Sequence, residues 1–109
     1  MSTSIQDLLS TVRASSTLST PQKKDIDSLL RAIETGLEAL AAQDREGASS
    51  ILNFLVCALH ESARKERTSV IAMAARKGML LSFRPYEDKH PDLANNGYTL
   101  GNILSALGV

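Results

Sequence analysis

Cys57 and His60 come nearest, by residue type and spacing, to the start of a metal site. They stand three positions apart, which places them on one face if the segment is helical. A structural zinc site needs four ligands, and the only other histidine is His90. Cys57 also lies in the most apolar run of the chain, where a thiol is usually unreactive. We therefore predict no metal, no cofactor and no catalytic cysteine.

Glu34 and Glu38 are carboxylates four positions apart, and such a pair can transfer protons when burial raises one pKa. Here the pair lies opposite an apolar helical seam, so we predict a solvated helix face instead. The six glycines do not form a phosphate-binding loop, and no nucleophile-elbow or zinc-protease motif is present. The sequence therefore predicts a protein that is not an enzyme.

A third candidate group is basic. Residues 48–84 carry six basic and two acidic side chains, although the whole chain has twelve of each. On one unbroken helix Lys65 and Arg76 would point the same way, and such a row could follow the phosphates of duplex RNA. The segment lacks aromatic residues for stacking on single strands, and an ordinary solvated face is the simpler interpretation. The candidates for phosphate or partner binding are Arg64, Lys65, Arg67, Arg76 and Lys77.

The elements that would carry these residues are predicted to be helices, because leucine and alanine are frequent and aromatic residues make up only 4%. Thr20 and Pro21 form a helix-start signal for a helix over about residues 21–43. A second long helix is expected over about residues 49–77, with Gly47 in the turn before it and Gly78 ending it. The first helix carries an apolar seam of period 3.5, formed by Ile26, Leu30, Ile33, Leu37 and Leu40.

Shorter elements are expected near both ends. Apolar residues 5–12 have helical spacing, and a last short helix is predicted to start at Thr99. Between the long hairpin and that helix, residues 79–98 are predicted to form an extended or irregular arm, because Pro85, Pro91 and the turn signal at residues 95–97 disfavour regular structure. The expected fold is therefore all-α: one domain over residues 1–109, built on a long helical hairpin with short terminal helices.

Residues 51–59 are apolar at nearly every position, more than one hairpin could cover. We therefore predict a helical-bundle homodimer, or an obligate partner helix. The expected interface residues are Ile26, Leu30, Ile33, Leu37, Leu40, Phe54 and Leu55. Further anchors for a partner are expected in the arm, at Met79, Leu81, Phe83 and Tyr86.

The leading functional hypothesis is a non-enzymatic protein–protein interaction module, such as an adaptor, a chaperone-like protein or a small viral or phage regulator. The alternative is a duplex-RNA-binding regulator that uses the basic helix face. Two short segments, Ile5-Gln6-Asp7-Leu8 and Lys23-Lys24-Asp25-Ile26-Asp27, resemble parts of the small helical proteins with which nodaviruses suppress RNA silencing. The resemblance covers under a tenth of the chain and the spacing between the segments differs, so the RNA alternative depends on charge alone.

The composition limits the class of partner and the cellular compartment that we expect. The formal net charge is zero, which argues against a partner bound purely by bulk charge, such as DNA or an anionic membrane. The single cysteine permits no internal disulfide and suits a reducing compartment. No apolar run approaches the length of about 20 residues that crosses a bilayer. We therefore expect an intracellular protein, cytoplasmic or nuclear, that binds another protein and no membrane.

Overall fold

A computed structural model describes residues 2–16, 18–63 and 69–106, and within these ranges every regular element is a helix. The prediction of an all-α fold is confirmed. The elements in chain order are α1 (Ser2–Ala14), α2 (Thr20–Ala41), α3 (Arg45–Ala63), α4 (Ser69–Phe83), a 3₁₀ turn (Arg84–Tyr86) and α5 (Pro91–Ala106).

Helix α2 begins close to the predicted position, but its cap is Ser19 and not Thr20. The Ser19 hydroxyl accepts a hydrogen bond from the Gln22 backbone N–H, and the Gln22 side chain accepts one from the Ser19 backbone N–H. Pro21 lies in the first turn, where its missing N–H costs nothing. This reciprocal arrangement satisfies two backbone donors that would otherwise lack helical partners.

The prediction of one long helix over residues 49–77 is wrong, because α3 and α4 are separate helices that pack side by side. Gly78 of α4 lies against the ring of Phe54, and Gly47 at the start of α3 lies against Tyr86, which follows α4. The two helices therefore run in opposite directions. Both glycines lie inside helices, where the sequence predicted a turn and a helix end. Close contact with a neighbouring aromatic side chain explains why a small residue is present at each position.

The predicted arm over residues 79–98 is also wrong. Met79 and Phe83 complete α4 and are buried, and α5 begins at Pro91, eight residues before the expected start at Thr99. Proline is favourable at the first helical position because its N–H would have no helical partner there. The turn signal at residues 95–97 lies within α5, since Gly97 lets the helix approach the Phe83 ring closely. Packing against α4 outweighs the local turn preference.

One core draws buried side chains from every described α-helix. α2 and α5 pack closely enough that Gly36 lies against the side chain of Leu93. α1 lies along α2, and the Lys23 ammonium donates a hydrogen bond to the Arg13 carbonyl. The seam of α2 faces this core and is at most 2% exposed. Other large, fully enclosed side chains are Ile5, Leu8, Leu9, Ile51, Leu55, Met79 and Phe83.

Candidate functional site

Six of the seven residues predicted to form an oligomer interface are buried in the chain's own core. The five α2 residues and Leu55 are at most 2% exposed, so they are not available to a second chain. That prediction is wrong because α1, α3 and α5 cover the seam that was expected to need another subunit. Phe54 is the exception, with 43% of its surface exposed.

Helix α3 is covered by the rest of the fold on one side and exposed on the other. Ile51, Leu55 and Ala58 face the core, while Phe54 and Cys57 face outward. The spacing of three between the two exposed residues places them on one stripe of the helix. The apolar run that predicted a partner is therefore mostly accommodated within the chain, and a short exposed stripe remains.

Helix α4 continues this exposed apolar surface. Val70 is 74% exposed, and Met73, Ile71 and Leu81 are each about half exposed at 50%, 49% and 46%. Because Phe54 touches Gly78 across the helix pair, its stripe lies beside the outward side of α4. We name the combined surface the α3–α4 face. Its members are Phe54, Cys57, Val70, Ile71, Ala74 and Leu81, and Met73 lies at its edge, because it points about 160° away from Ile71 around α4.

A groove of about 400 Å³ lies at one end of the α3–α4 face. Gly47 and Gly78 keep it open, because a side chain at either position would meet Tyr86 or Phe54. Phe54 and Leu81 belong to both the groove and the exposed face. The full lining is Gly47, Ser50, Phe54, Gly78, Leu81, Ser82, Pro85 and Tyr86.

Asp44 fixes the end of the groove where Tyr86 lies. Its carboxylate accepts hydrogen bonds of 2.9 Å from the Gly47 backbone N–H and from the Tyr86 hydroxyl. These two bonds, the first above all, lower the pKa of Asp44 below its usual value. Burial, followed by the bond to Asp44 and its negative charge, raises the pKa of Tyr86. The His90 ring meets Tyr86 edge-on, with 6.3 Å between ring centroids.

The predicted basic row does not form on one helix. Arg76 and Lys77 are consecutive on α4, so they point in directions about 100° apart. Lys77 is exposed, whereas Arg76 is half-buried and its Nε has no hydrogen-bond partner among the described residues. Arg64, Lys65 and Arg67 lie outside the described residues. The parallel alignment of Lys65 with Arg76 required one unbroken helix, and α3 and α4 run in opposite directions.

The other candidates for chemistry are dispersed. Cys57 and His60 are both exposed on α3, and His90 immediately precedes α5. Glu34 was expected to be solvated but is half-buried, with Oε2 enclosed and without a hydrogen-bond partner in the described part of the chain, while Glu38 is exposed. Residues 2–16, 18–63 and 69–106 bring together no group of three or more potential metal ligands.

The α4 residues of the face and groove were predicted to belong to two elements, a helix to about residue 77 and an arm from residue 79, whereas Ser69–Phe83 form one helix. Of the four anchors expected in the arm, Met79 and Phe83 are buried, Leu81 is exposed and Tyr86 lines the groove. Helical spacing from Val70 through Ala74 to Leu81 was a usable signal for one outward stripe. In the described helices, no stretch is both long and apolar enough to cross a membrane.

Comparisons with protein-family models, with curated proteins and with solved structures found no match to this chain.

Proposed function

We propose that this chain is a non-enzymatic protein–protein interaction module, and that its binding surface is the α3–α4 face together with the adjoining groove. The observation that carries the proposal is the grouping of exposed apolar side chains on this one surface. Oligomerisation through apolar helix faces, including a helical-bundle homodimer, is one form that such a function takes. Of the seven interface residues predicted from the sequence, only Phe54 would make the contact, because the α2 seam and Leu55 are internal.

The size of the apolar surface supports this proposal. Five large apolar side chains on the face are each about half exposed or more. A large side chain presents about 200 Å² when fully accessible, so together they expose on the order of 500 Å². The largest apolar patch on a monomeric soluble protein covers about 300–600 Å² and is often functional. The face thus lies in the range of sizes in which the largest apolar patch of a protein is often functional.

The shape of the surface also supports a protein partner. Protein interfaces place a few large apolar anchors in fitting recesses and surround them with polar groups. Here Phe54 and Leu81 stand beside a groove that Ser50 and Ser82 also line. The groove lies between two helices, where an extended or helical segment of another chain can lie along it.

Cys57 provides a direct test, because it is the only cysteine and lies exposed within the face. We expect a thiol-reactive maleimide to label Cys57 slowly in cells that naturally make the protein and quickly in the purified protein at high dilution. A suitable control is the variant Cys57→Ser with Ala32→Cys, which moves the thiol to an exposed position on α2. Its labelling rate should be similar in both settings. Equally fast labelling of Cys57 in cells and at high dilution would contradict the proposal.

Duplex RNA binding is the alternative that the sequence raised, through Arg64, Lys65, Arg67, Arg76 and Lys77. A gel-shift experiment with duplex RNA at two salt concentrations distinguishes it from protein binding, since phosphate contacts weaken steeply with salt. On the protein-binding proposal, no salt-sensitive shift is expected. A shift that weakens with salt and is lost in the double variant Lys65→Ala with Arg76→Ala would favour the RNA function instead.

A further inference from the structure

We infer that the occupant of the α3–α4 face is a second copy of this chain, arranged with α3 of each copy against α4 of the other. The inference rests on the proposed function and adds the identity of the partner. Three properties of the face support it: the position of Phe54 beside the groove, the amount of apolar surface, and the opposite charges carried by the two helices.

The face combines a projecting side chain with a recess that can receive one. Phe54 projects from α3, and the adjoining groove is kept open by Gly47 and Gly78. In a two-fold contact the same surface of both copies meets, so a projection on each must fit a recess on the other. When the two-fold axis runs along the common direction of α3 and α4, α3 of one copy lies over α4 of the other. Phe54 then lies at the level of Gly78 of the partner subunit, at the end of the groove that the partner's Phe54 lines, so the two rings meet near the axis.

The amount of apolar surface matches a standard interface between two chains. A stable interface buries about 800 Å² on each partner, and about 60% of that area is apolar. This requires roughly 500 Å² of apolar surface from each copy, which is the order of what the five large side chains of the face expose. The face is therefore large enough for a homodimer without any rearrangement of the core.

The charges on the two helices favour a dimer in which α3 packs on α4 of the second copy, compared with one in which α3 packs on α3. Glu46 and Glu61 lie on the same stripe of α3 as Phe54, whereas the exposed residue Lys77 lies on the outward side of α4. With Phe54 at the level of Gly78 of the partner subunit, Glu61 lies about 9 Å along the helix axis from Lys77 of the partner subunit, within the range over which opposite charges attract. Placing α3 over α3 would bring like charges together, which costs free energy. The formal net charge of zero adds no overall repulsion between copies.

The first experiment measures the mass of the purified full chain by size-exclusion chromatography with light scattering over a range of micromolar concentrations. We expect a dimer whose dissociation constant rises by about tenfold or more in Leu81→Lys, because an apolar contact is replaced by a charge. Ala39→Lys introduces the same side chain at an exposed position of α2 and should leave the mass unchanged. A monomer mass at every concentration would overturn the inference.

The second experiment tests the arrangement of the helices by disulfide cross-linking. If Phe54 lies over Gly78 of the partner subunit, Cys57 lies near Ala74 of the partner subunit, one turn along. A disulfide requires Cα atoms within about 7 Å. We mix the wild-type chain with the variant Cys57→Ser, Ala74→Cys, so that each chain carries one thiol, and oxidise the mixture. A dimer band is expected in the mixture and not in either protein alone.

The outcomes separate this inference from the proposed function. A dimer band in either protein alone, or no band in the mixture, would overturn the α3-against-α4 arrangement. A monomer mass combined with slow labelling of Cys57 in cells would show that a different protein covers the face. The inference of a homodimer would then be wrong, and the proposed interaction function would still be supported. A monomer mass with fast labelling of Cys57 in cells would contradict both.

Discussion

The hydroxyl of Tyr86 donates a 2.9 Å hydrogen bond to Oδ2 of Asp44, and this bond joins the 3₁₀ turn after α4 to the turn between α2 and α3. The same carboxylate accepts a bond from the Gly47 backbone N–H at the start of α3. Asp44 thus positions both the first turn of α3 and the residue that closes one end of the groove. Any partner that enters the groove meets a boundary set by this contact.

Acid should weaken this contact in a defined pH range. The pKa of Asp44 is lower in the folded chain than its usual value of 3.8, because the two hydrogen bonds favour the charged form. Their stabilisation is therefore complete above the unfolded pKa and is lost as the pH falls through the folded pKa. Urea unfolding should show that Asp44→Asn lowers stability at neutral pH, and that the variant loses less stability than the wild type on acidification below pH 3.8.

Asp25→Asn is the matched control for this prediction, because Asp25 is exposed on α2. It removes one carboxylate and leaves the Asp44 contact intact, so its loss of stability at neutral pH should be smaller than that of Asp44→Asn. A carboxyl-carbon nuclear magnetic resonance titration provides the direct measurement, in which Tyr86→Phe should move the Asp44 midpoint upward. An unchanged midpoint in Tyr86→Phe would show that the Gly47 bond alone lowers the pKa.

Alkaline titration should show that the pKa of each of the two tyrosines lies above its usual value. Burial is the largest cause that raises the pKa of Tyr86 and of Tyr98, and hydrogen bonds to Asp44 and Glu87 add to it. The corresponding stabilisation is present below the unfolded pKa of 10.0 and is lost as the pH rises through the folded values. Ultraviolet absorbance should show phenolate forming later in the native chain than in urea, and Asp44→Asn should lower one of the two midpoints.

Two glycine substitutions should differ in their effect on the stability of the chain. Gly97→Ala places a methyl group against the ring of Phe83, which is fully buried and cannot move away. We expect a loss of about 1–3 kcal/mol, the usual cost of overpacking a core. Gly78→Ala meets the ring of Phe54 at 3.0 Å, but that ring is partly exposed and can rotate. The gain in helix propensity should leave Gly78→Ala near neutral.

Thermal or urea unfolding of both alanine variants tests this contrast. The double variant Gly97→Ala with Phe83→Leu supplies the control, since a smaller side chain at residue 83 relieves the overlap. Its loss should be smaller than the sum of the two single losses, as expected for residues in direct contact. Additive losses would show that the Gly97 position is limited by something other than Phe83.

The cap of α2 makes a smaller and separate contribution. Ser19→Ala removes the acceptor for the Gln22 backbone N–H and should cost about 1 kcal/mol, the typical value for a helix cap. Ser28→Ala is the matched control, because Ser28 is exposed in the middle of the same helix. Alanine is the better helix former there, so that variant should be slightly stabilised. Equal effects of the two substitutions in urea unfolding would argue against the capping role.

The features that could be predicted from the sequence are those that depend on local patterns. The α2 seam and the helical spacing of residues 5–12 each indicate one buried stripe, and both stripes are buried. The predictions were wrong at three glycines, namely Gly47, Gly78 and Gly97, which lie within helices and not at turns or helix ends. A glycine is typical of a turn, but it also permits close contact between a helix and an aromatic ring. The aromatic rings that these glycines contact belong to Tyr86, Phe54 and Phe83, which are 39, 24 and 14 positions away in the sequence. No short window of the sequence therefore reveals these contacts.

The candidate site was harder to predict, since it arises from the pairing of α3 with α4. The apolar run over residues 51–59 correctly indicated that α3 is apolar on most sides, but the sequence does not show which sides the rest of the chain covers. Burial of Leu55 and exposure of Phe54, its neighbour in sequence, follow from the position of α4 and the other helices. The error of treating residues 49–77 as one helix hid this arrangement.

The internal seam and the exposed face should respond differently to the same substitution. Leu37 is fully enclosed in the core, so Leu37→Ala should cost about 2–5 kcal/mol of stability at any protein concentration. Leu81 is about half exposed in the isolated chain, so Leu81→Ala should cost much less when the protein is dilute and monomeric. At concentrations where copies associate, the loss in Leu81→Ala should grow, because the wild type then gains stability from the contact. Unfolding curves at two protein concentrations measure both effects, and a concentration-dependent loss in Leu37→Ala alone would restore the α2 seam as the interface.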